Sequence, residues 1–331
     1  MQQIEQTIRA FRKLKILVIG DVMLDCYLYG SVQRISPEAP VPVVNLTEKD
    51  YRLGGAANVS LNIKALGAKP FLLSVVGDDE NGKKLLELLP SADLSNKYVE
   101  TSVRRKTTTK TRIIAQNQQV VRLDEEDCVD VNAAEKNALL THLKNILDSN
   151  DIHAILFQDY NKGVLSKSVI REVMLEALKR DIPTVVDPKD KHFYAYKRAT
   201  LFKPNLKEIN ANLPFHSEPT LSDLNRAATY LNQQLNNTLT LITLSDKGVY
   251  YQSKDSSEVL PTIPRNIADV CGAGDSVVSI AALAVALKLP IKELALLANL
   301  AGGQVCEKVG VVPVDVRQLA LDYQAVMASG K

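Results

Sequence analysis

The 331-residue chain is 46% hydrophobic and 24% charged, enough apolar content for one large core or two ordinary ones. Its 40 basic residues face 38 acidic ones, and a net charge of +2 argues against nucleic-acid or membrane partners. No apolar run reaches the roughly 20 residues a bilayer span requires, and MQQIEQTIRAFRKLKILVIG lacks the apolar core and cleavage site of a signal peptide.

The first predicted element is a strand at residues 16–20, an apolar run ending in Gly20. Residues 26–49 follow, where Pro37, Pro40 and Pro42 forbid a long helix. A helix is expected at 56–66, a strand at 71–76 and a helix at 83–89. Residues 98–123 alternate β-branched and polar side chains around TSVRRKTTTKTRII and read as antiparallel ribbon. Next come helix 133–148, strand 154–157, helix 167–180, strands 184–186 and 200–202, helix 221–235 and strand 240–244. From 274 to about 327 the pattern is almost wholly helical, with the alanine-rich stretch 277–289 buried.

Apolar strands separated by amphipathic helices predict an α/β fold, a central mostly parallel sheet with helices on both faces. Segments 26–49 and 98–123 together make a small β-lid projecting from it. No linker, repeat or low-complexity stretch divides the chain, so residues 1–331 are expected to form a single domain. Cys26, Cys128, Cys271 and Cys306 are scattered without a CxxC spacing, and the four histidines form no HxxxH pair. Neither a disulfide framework nor a zinc site is expected, and a reducing cytoplasm is the simplest compartment.

Polar residues stand just past five strands: Asp21, Asp159, Asp187, Asn205 and Ser245. Turn and cap preferences explain any one of them. Together they predict one shared cleft, because ligands of open parallel sheets bind outside the carboxyl ends of strands.

Two glycine-rich segments carry the chemistry. Asp269-Val270-Cys271-Gly272-Ala273-Gly274-Asp275 precedes a helix, and its small residues let backbone amides of the first turn meet an anion. Asp275 beside those amides has the position of a base that takes a proton from an attacking hydroxyl. A plain glycine-rich loop with Asp275 as a helix-start residue is the bland alternative. Gly54-Gly55-Ala56-Ala57-Asn58 opens another helix and suits a hydroxyl-rich ligand, although helix–strand packing also explains it.

GGAAN in the first quarter and DxxGAGD in the last resemble, in order and separation, the two signatures of the ribokinase/PfkB carbohydrate kinase family. Asn205-Leu206-Lys207-Glu208 is similar to that family's NxxE motif, and TLSDKG at 243–248 to its nucleotide-loop segment. The resemblance covers essentially the whole chain and implies a ribokinase-like fold. GDVMLD (20–25), RISPEAPVPVV (34–44), NQQVVRLD (117–124), QDYNKG (158–163), DPK (187–189) and KPN (203–205) narrow it. They resemble members that use ATP and Mg²⁺ to phosphorylate the anomeric hydroxyl of D-glycero-β-D-manno-heptose 7-phosphate, in the ADP-heptose route to the lipopolysaccharide core. Such kinases are often fused to a nucleotidyltransferase; here no HxGH-like motif occurs before Lys331, so a stand-alone kinase is expected.

The resemblance implies roles. Asp275 is the general base, and the amides of Gly272, Ala273 and Gly274 form the anion hole. Asp21, Gly54, Gly55 and Asn58 hold sugar hydroxyls. Asn205 and Glu208 organise the Mg²⁺–phosphate end of ATP, Glu208 reaching the metal through water, and Thr243, Ser245 and Gly248 lie along the nucleotide. The 7-phosphate demands cations, for which Arg34, Arg112, Arg122 and Lys189 are the candidates. The run Arg104-Arg105-Lys106 is explained equally well as a charged lid edge, and the acidic run at 124–127 as a solvated turn. A homodimer through the β-lid is expected, and a monovalent cation requirement stays open. The family usually has Thr where this chain has Cys271, a position whose hydroxyl the chemistry does not need.

The nearest rival is a kinase of the same family acting on ribose, fructose, a nucleoside or another sugar phosphate. A nicotinamide-dependent oxidoreductase is excluded because Asp21-Val22-Met23-Leu24, not GxGxxG, follows the first strand. A non-catalytic sugar sensor would have lost Asp275 or the glycines around it.

Overall fold

The structure is a computed structural model that describes residues 2–116 and 118–329; Asn117, the first residue of the NQQVVRLD segment, lies outside the described residues. The chain runs α1 (Gln2–Phe11), β1 (Lys15–Gly20), β2 (Val22–Ile35), β3 (Pro42–Gly55), α2 (Ala56–Ala65), β4 (Lys69–Gly77), α3 (Glu80–Ser91) and β5 (Val99–Ser102). It continues through β6 (Thr109–Ala115), β7 (Gln118–Glu125), α4 (Ala133–Ser149), β8 (Ala154–Gln158), α5 (Lys167–Lys179), β9 (Thr184–Asp187), β10 (Leu201–Phe202) and α6 (Leu206–Asn212). Then follow α7 (Leu221–Leu235), β11 (Leu239–Thr243), β12 (Val249–Gln252), β13 (Ser257–Leu260), α8 (Ala273–Ala286), α9 (Ile291–Val305) and α10 (Val316–Ser329).

Period-two alternation in β1 sends Ile16 and Val18 into one core and Leu17 and Ile19 into the other. The first core is built with α1, α2, α3, α8, α9 and α10, the second with α4 to α7. A strand buried on both faces needs a continuous apolar run, as residues 16–19 of β1 and 154–157 of β8 supply. Between the layers runs a nine-stranded sheet in the order β13-β12-β11-β10-β9-β8-β1-β4-β5. From β11 through β5 its neighbours pair parallel. A second sheet, ordered β3-β2-β6-β7, extends from it.

The chain leaves β1 toward β4 on one side and resumes at β8 on the other. Between β1 and β8, therefore, lies a topological switch point, where a crevice opens at the strands' carboxyl ends. All five polar strand ends fall on adjacent parallel strands β11, β10, β9, β8 and β1, hence along one edge. Helix α8 starts at this edge. Its small buried residues let it lie close to α2, where Ser279 Oγ donates to Val59 O (3.3 Å) and Ser276 Oγ to Asn62 Oδ1 (3.2 Å).

Three expectations need correction. Residues 98–123 are not one ribbon: Val99–Ser102 pairs with β4 at the edge of the main sheet, and only β6 and β7 enter the second. That second sheet is also not wholly antiparallel, since β2 and β6 run parallel, and β2 begins at Val22 rather than 26. The antiparallel pair β12–β13 was not anticipated; its strands are four residues each, too short for a clear period. Among the described residues, no helix is long and apolar enough to cross a membrane.

Candidate active site

Helix α8 begins at Gly272, whose φ of 80° few residues other than glycine adopt, and no side chain caps it. A Cβ placed on Gly274 would meet nothing within 4 Å, so the first turn faces open space. An uncapped helix start with room beside it is suited to an anion. The loop before it is shaped by Asp269, whose carboxylate accepts from the Cys271 N–H (3.0 Å) and the Gly310 N–H (2.9 Å). Burial, then Asp269, pushes the Cys271 thiol up to about 11, so this cysteine stays protonated and is no nucleophile.

Asp275, in the first turn of α8, is 4% exposed. Three donors, from two segments far from it in sequence, meet its carboxylate. Asn58 Nδ2 donates to Oδ2 (2.7 Å), and both Tyr160 OH (2.8 Å) and Gln158 Nε2 (3.2 Å) donate to Oδ1. Burial is the largest influence and raises its pKa to about 6; the Asn58 and Tyr160 hydrogen bonds pull the other way. At neutral pH the group is mostly ionised yet more basic than an exposed aspartate.

Behind it a polar chain continues along the strand ends. Gln158 Nε2 also donates to Asp187 Oδ2 (3.2 Å), and Asp187 Oδ1 pairs with Lys203 Nζ at 2.9 Å. Lys203 is 3% exposed, and removing either member of such a buried pair typically costs about 3–5 kcal/mol. Next to this pair, Asn205 caps α6 reciprocally with Glu208: Asn205 Oδ1 accepts from the Glu208 N–H (2.8 Å), and Glu208 Oε2 from the Asn205 N–H (2.9 Å). Thr243 forms a parallel bridge with Asn205, so the NxxE segment and the turn carrying Ser245 and Gly248 sit side by side.

The expected site residues thus gather, with several roles corrected. Asp21 is 1% exposed and its carboxylate serves the loop after β8, accepting from the backbone N–H groups of Tyr160 (2.8 Å), Lys162 (3.0 Å) and Val164 (3.0 Å). It anchors that loop instead of presenting an oxygen to a sugar. Asn58 is turned toward the base: its amide donates to Asp275, and its side-chain oxygen accepts from Asn62 (3.3 Å). Lys189 is paired with Glu208 Oε1. Arg122 turns to Asp124 on exposed strand β7 (2.9 and 3.1 Å), and Arg34 is exposed near the far end of β2 without a partner among the described residues.

Arg112 fares differently. It pairs with Asp25 at 2.5 Å, and Asp25 lies against the Gly54-Gly55 segment so closely that a Cβ on Gly54 would fall 2.3 Å from Asp25 Oδ2. Gly55 precedes α2, whose first N–H, on Ala56, donates to Asp21 O (3.0 Å). Asp25 is the acidic group beside the two glycines, and a charged residue inside the apolar run VMLDCYLYG was the signal for it. Gln158, Tyr160 and Lys203 had no assigned role, although QDYNKG and KPN mark their positions.

The sequence pattern of the pfkB family carbohydrate kinases matches residues 13–316, and the chain belongs to that family. The bifunctional protein HldE of Campylobacter curvus is 40% identical over 301 residues, covering 90% of this chain and 63% of that protein. The protein of the same name from Syntrophotalea carbinolica is 38% identical over 332 residues, covering 97% and 67%. The chain therefore spans about two thirds of the length of these relatives. Escherichia coli phosphofructokinase-2, solved in complex with potassium, superposes with a TM-score of 0.79 at 19% identity, over 95% of this chain and 99% of that one. Arabidopsis thaliana ribokinase, complexed with ribose and ATP, gives 0.70 at 16% identity, over 92% and 98%. The fold is ribokinase-like, and the enzyme is a carbohydrate kinase.

If Asp21 anchors the loop after β8, Asp21→Asn leaves three buried amides short of an acceptor oxygen. Hydrogen exchange of the Tyr160, Lys162 and Val164 amides should then speed up about tenfold or more; unchanged exchange would show that the loop holds without it.

Proposed function

We propose that this carbohydrate kinase transfers the terminal phosphoryl group of ATP to the anomeric hydroxyl of D-glycero-β-D-manno-heptose 7-phosphate. The observation that carries the chemistry is the juxtaposition of a buried, raised-pKa carboxylate, Asp275, with the uncapped and open start of α8. The narrower choice of sugar rests on the sequence segments that resemble heptose 7-phosphate kinases.

The step follows from that juxtaposition. The acceptor hydroxyl gives its proton to Asp275 as its oxygen bonds to the γ-phosphorus, and the bond from phosphorus to the β-phosphate oxygen breaks to release ADP. Amides at Gly272, Ala273 and Gly274 stabilise the equatorial oxygens. Asp25 and Arg112, beside Gly54, take over the sugar-binding part first expected of Asp21. Asn58 holds the base.

Among the described residues no group of three or more His, Cys, Asp or Glu side chains could hold a metal. That fits Mg²⁺ as bound by kinases, largely through phosphate oxygens and water. Asn205 and Glu208 would hold it from behind, through water, because the Glu208 oxygens already meet the Asn205 N–H and Lys189. Bound there, it supplies neutralisation of phosphate charge. Ser245 and Gly248 line the adjacent turn, where the nucleotide would lie.

The second sheet acts as the lid; with the β2–β3 turn it carries exposed Ile35, Val41, Leu46 and Leu123, an apolar surface suited to a second copy of the chain. Sedimentation should give a dimer that Leu46→Asp with Leu123→Asp converts to a monomer; a wild-type monomer would refute this. Asp275→Asn should lower turnover ~10²–10⁴-fold with ATP affinity changed only a few-fold, and near-normal turnover would remove Asp275 from the base role. Heptose 7-phosphate should outcompete unphosphorylated heptose in kcat/KM by at least about a hundredfold, since buried phosphate recognition depends on charge-assisted bonds. Equal rates on both, or preference for another sugar, would overturn the substrate assignment.

A further inference from the structure

One of the three donors on Asp275 differs in kind from the others. Asn58 is locked inside α2–α8 packing, and Gln158 divides one amide nitrogen between Asp275 and Asp187 at 3.2 Å each. Tyr160 instead brings a hydroxyl to 2.8 Å from Oδ1 from the start of the loop after β8, outside the sheet. That loop is not free to drift, because the Tyr160 N–H itself is held by Asp21 Oδ2 (2.8 Å). Two cations flank the phenol: Lys110 Nζ from β6 of the second sheet lies 5.9 Å from the ring centroid, and Lys189 Nζ lies 5.8 Å from it. Lys189 is already paired with Glu208, so among the described residues Lys110 supplies the uncompensated positive charge near the ring, which makes the O–H a stronger donor to an anion.

We propose that Tyr160 is the positioning residue for Asp275: its hydroxyl, delivered by the loop that Asp21 anchors, fixes the orientation of the carboxylate and keeps it in the proton-accepting form. The inference rests on the reading of Asp275 as the base. The other charged groups facing Asp275 do not compete for this role. Asp187, at the end of β9, disfavours its ionisation and Lys203, just after β10, favours it, but these two pair with each other at 2.9 Å and their fields largely offset. Against burial there remain the donors: Asn58, fixed by packing, Gln158, shared with Asp187, and Tyr160, whose ring faces Lys110 of the second sheet. Burial and the Asp275 charge raise the Tyr160 pKa well above its usual value, so the phenol keeps its proton and donates throughout the working pH range.

The sign of the pH effect follows. A base works only when ionised, so turnover falls as pH drops through the Asp275 pKa of about 6. Loss of a hydrogen bond to the ionised form raises that pKa and moves the fall to higher pH. A carboxyl-selective ¹³C NMR titration of the whole chain, with the Asp275 signal identified from Asp275→Asn, reads this without sugar or nucleotide. In Tyr160→Phe the titration should move up by about one to two pH units, and the acidic limb of kcat with ATP and heptose 7-phosphate should move with it. Raising the pH should then restore turnover to within a few-fold of wild type. An unmoved titration, or a kcat lowered equally at every pH, overturns the proposal. Should the Phe variant fail to fold, 3-fluorotyrosine placed at position 160, isosteric and a stronger donor, must shift the titration downward, and no shift counts against the idea. If the titration moves but Asp275→Asn keeps normal turnover, the base reading fails and the Tyr160 coupling stands. If Asp275→Asn is inactive and the titration stays, only the coupling fails.

Discussion

An ionised carboxylate withdrawn from water loses several kcal/mol of hydration, and it persists only where donors replace the lost water. Asp275 meets that demand with three hydrogen bonds, each worth about 1.5–3 kcal/mol because the acceptor is charged, from Asn58 on α2, Gln158 ending β8, and Tyr160 in the loop beyond. The three contributors are 217, 117 and 115 residues away along the chain. Only the assembled fold supplies them. Much of the remaining architecture serves to keep them in place: the parallel pairing of β1 with β8, the close approach of α2 to α8, and the anchoring of the loop after β8 by Asp21.

The crevice inherits its position from topology. Five adjacent parallel strands end along one edge, and the direction of connection reverses between β1 and β8. Helix α8 opens at that edge, with its uncapped first turn facing open space, the base in that turn, and the polar chain through Asp187 and Lys203 behind the base. Small residues in α8 are what let it lie against α2 closely enough for Asn58 to reach the base. Membership in the pfkB family and a ribokinase-like fold shared with solved structures less than 20% identical agree with this arrangement.

Much of this was legible in the sequence. The apolar runs of β1, β4, β8, β9 and β11 fell within two residues of their observed bounds, and the glycines around 54 and 272 marked both helix starts at the site. What escaped was of two kinds. Short edge elements such as Val99–Ser102 and the β12–β13 pair have too few residues to display a period, and their neighbours in sequence are not their neighbours in space. Side-chain direction escaped too. Asp21 stands at the predicted strand end but turns to the amides of Tyr160, Lys162 and Val164, while Asp25, four residues on, meets Gly54 and Arg112. One residue type at a strand end does not say which loop its oxygens will serve. Lys189 likewise is spent on Glu208, a partner that its position after β9 did not disclose.

The central claim is geometric: a sugar hydroxyl and the terminal phosphorus of ATP meet between Asp275 and the first turn of α8. A crystal structure of the chain with a non-hydrolysable ATP analogue, Mg²⁺ and heptose 7-phosphate tests it directly. It should place the anomeric oxygen at about 2.6–3.2 Å from an Asp275 carboxylate oxygen, with the γ-phosphate against the amides of residues 272–274. An anomeric oxygen beyond the reach of that carboxylate, or a γ-phosphate seated away from the start of α8, would contradict it.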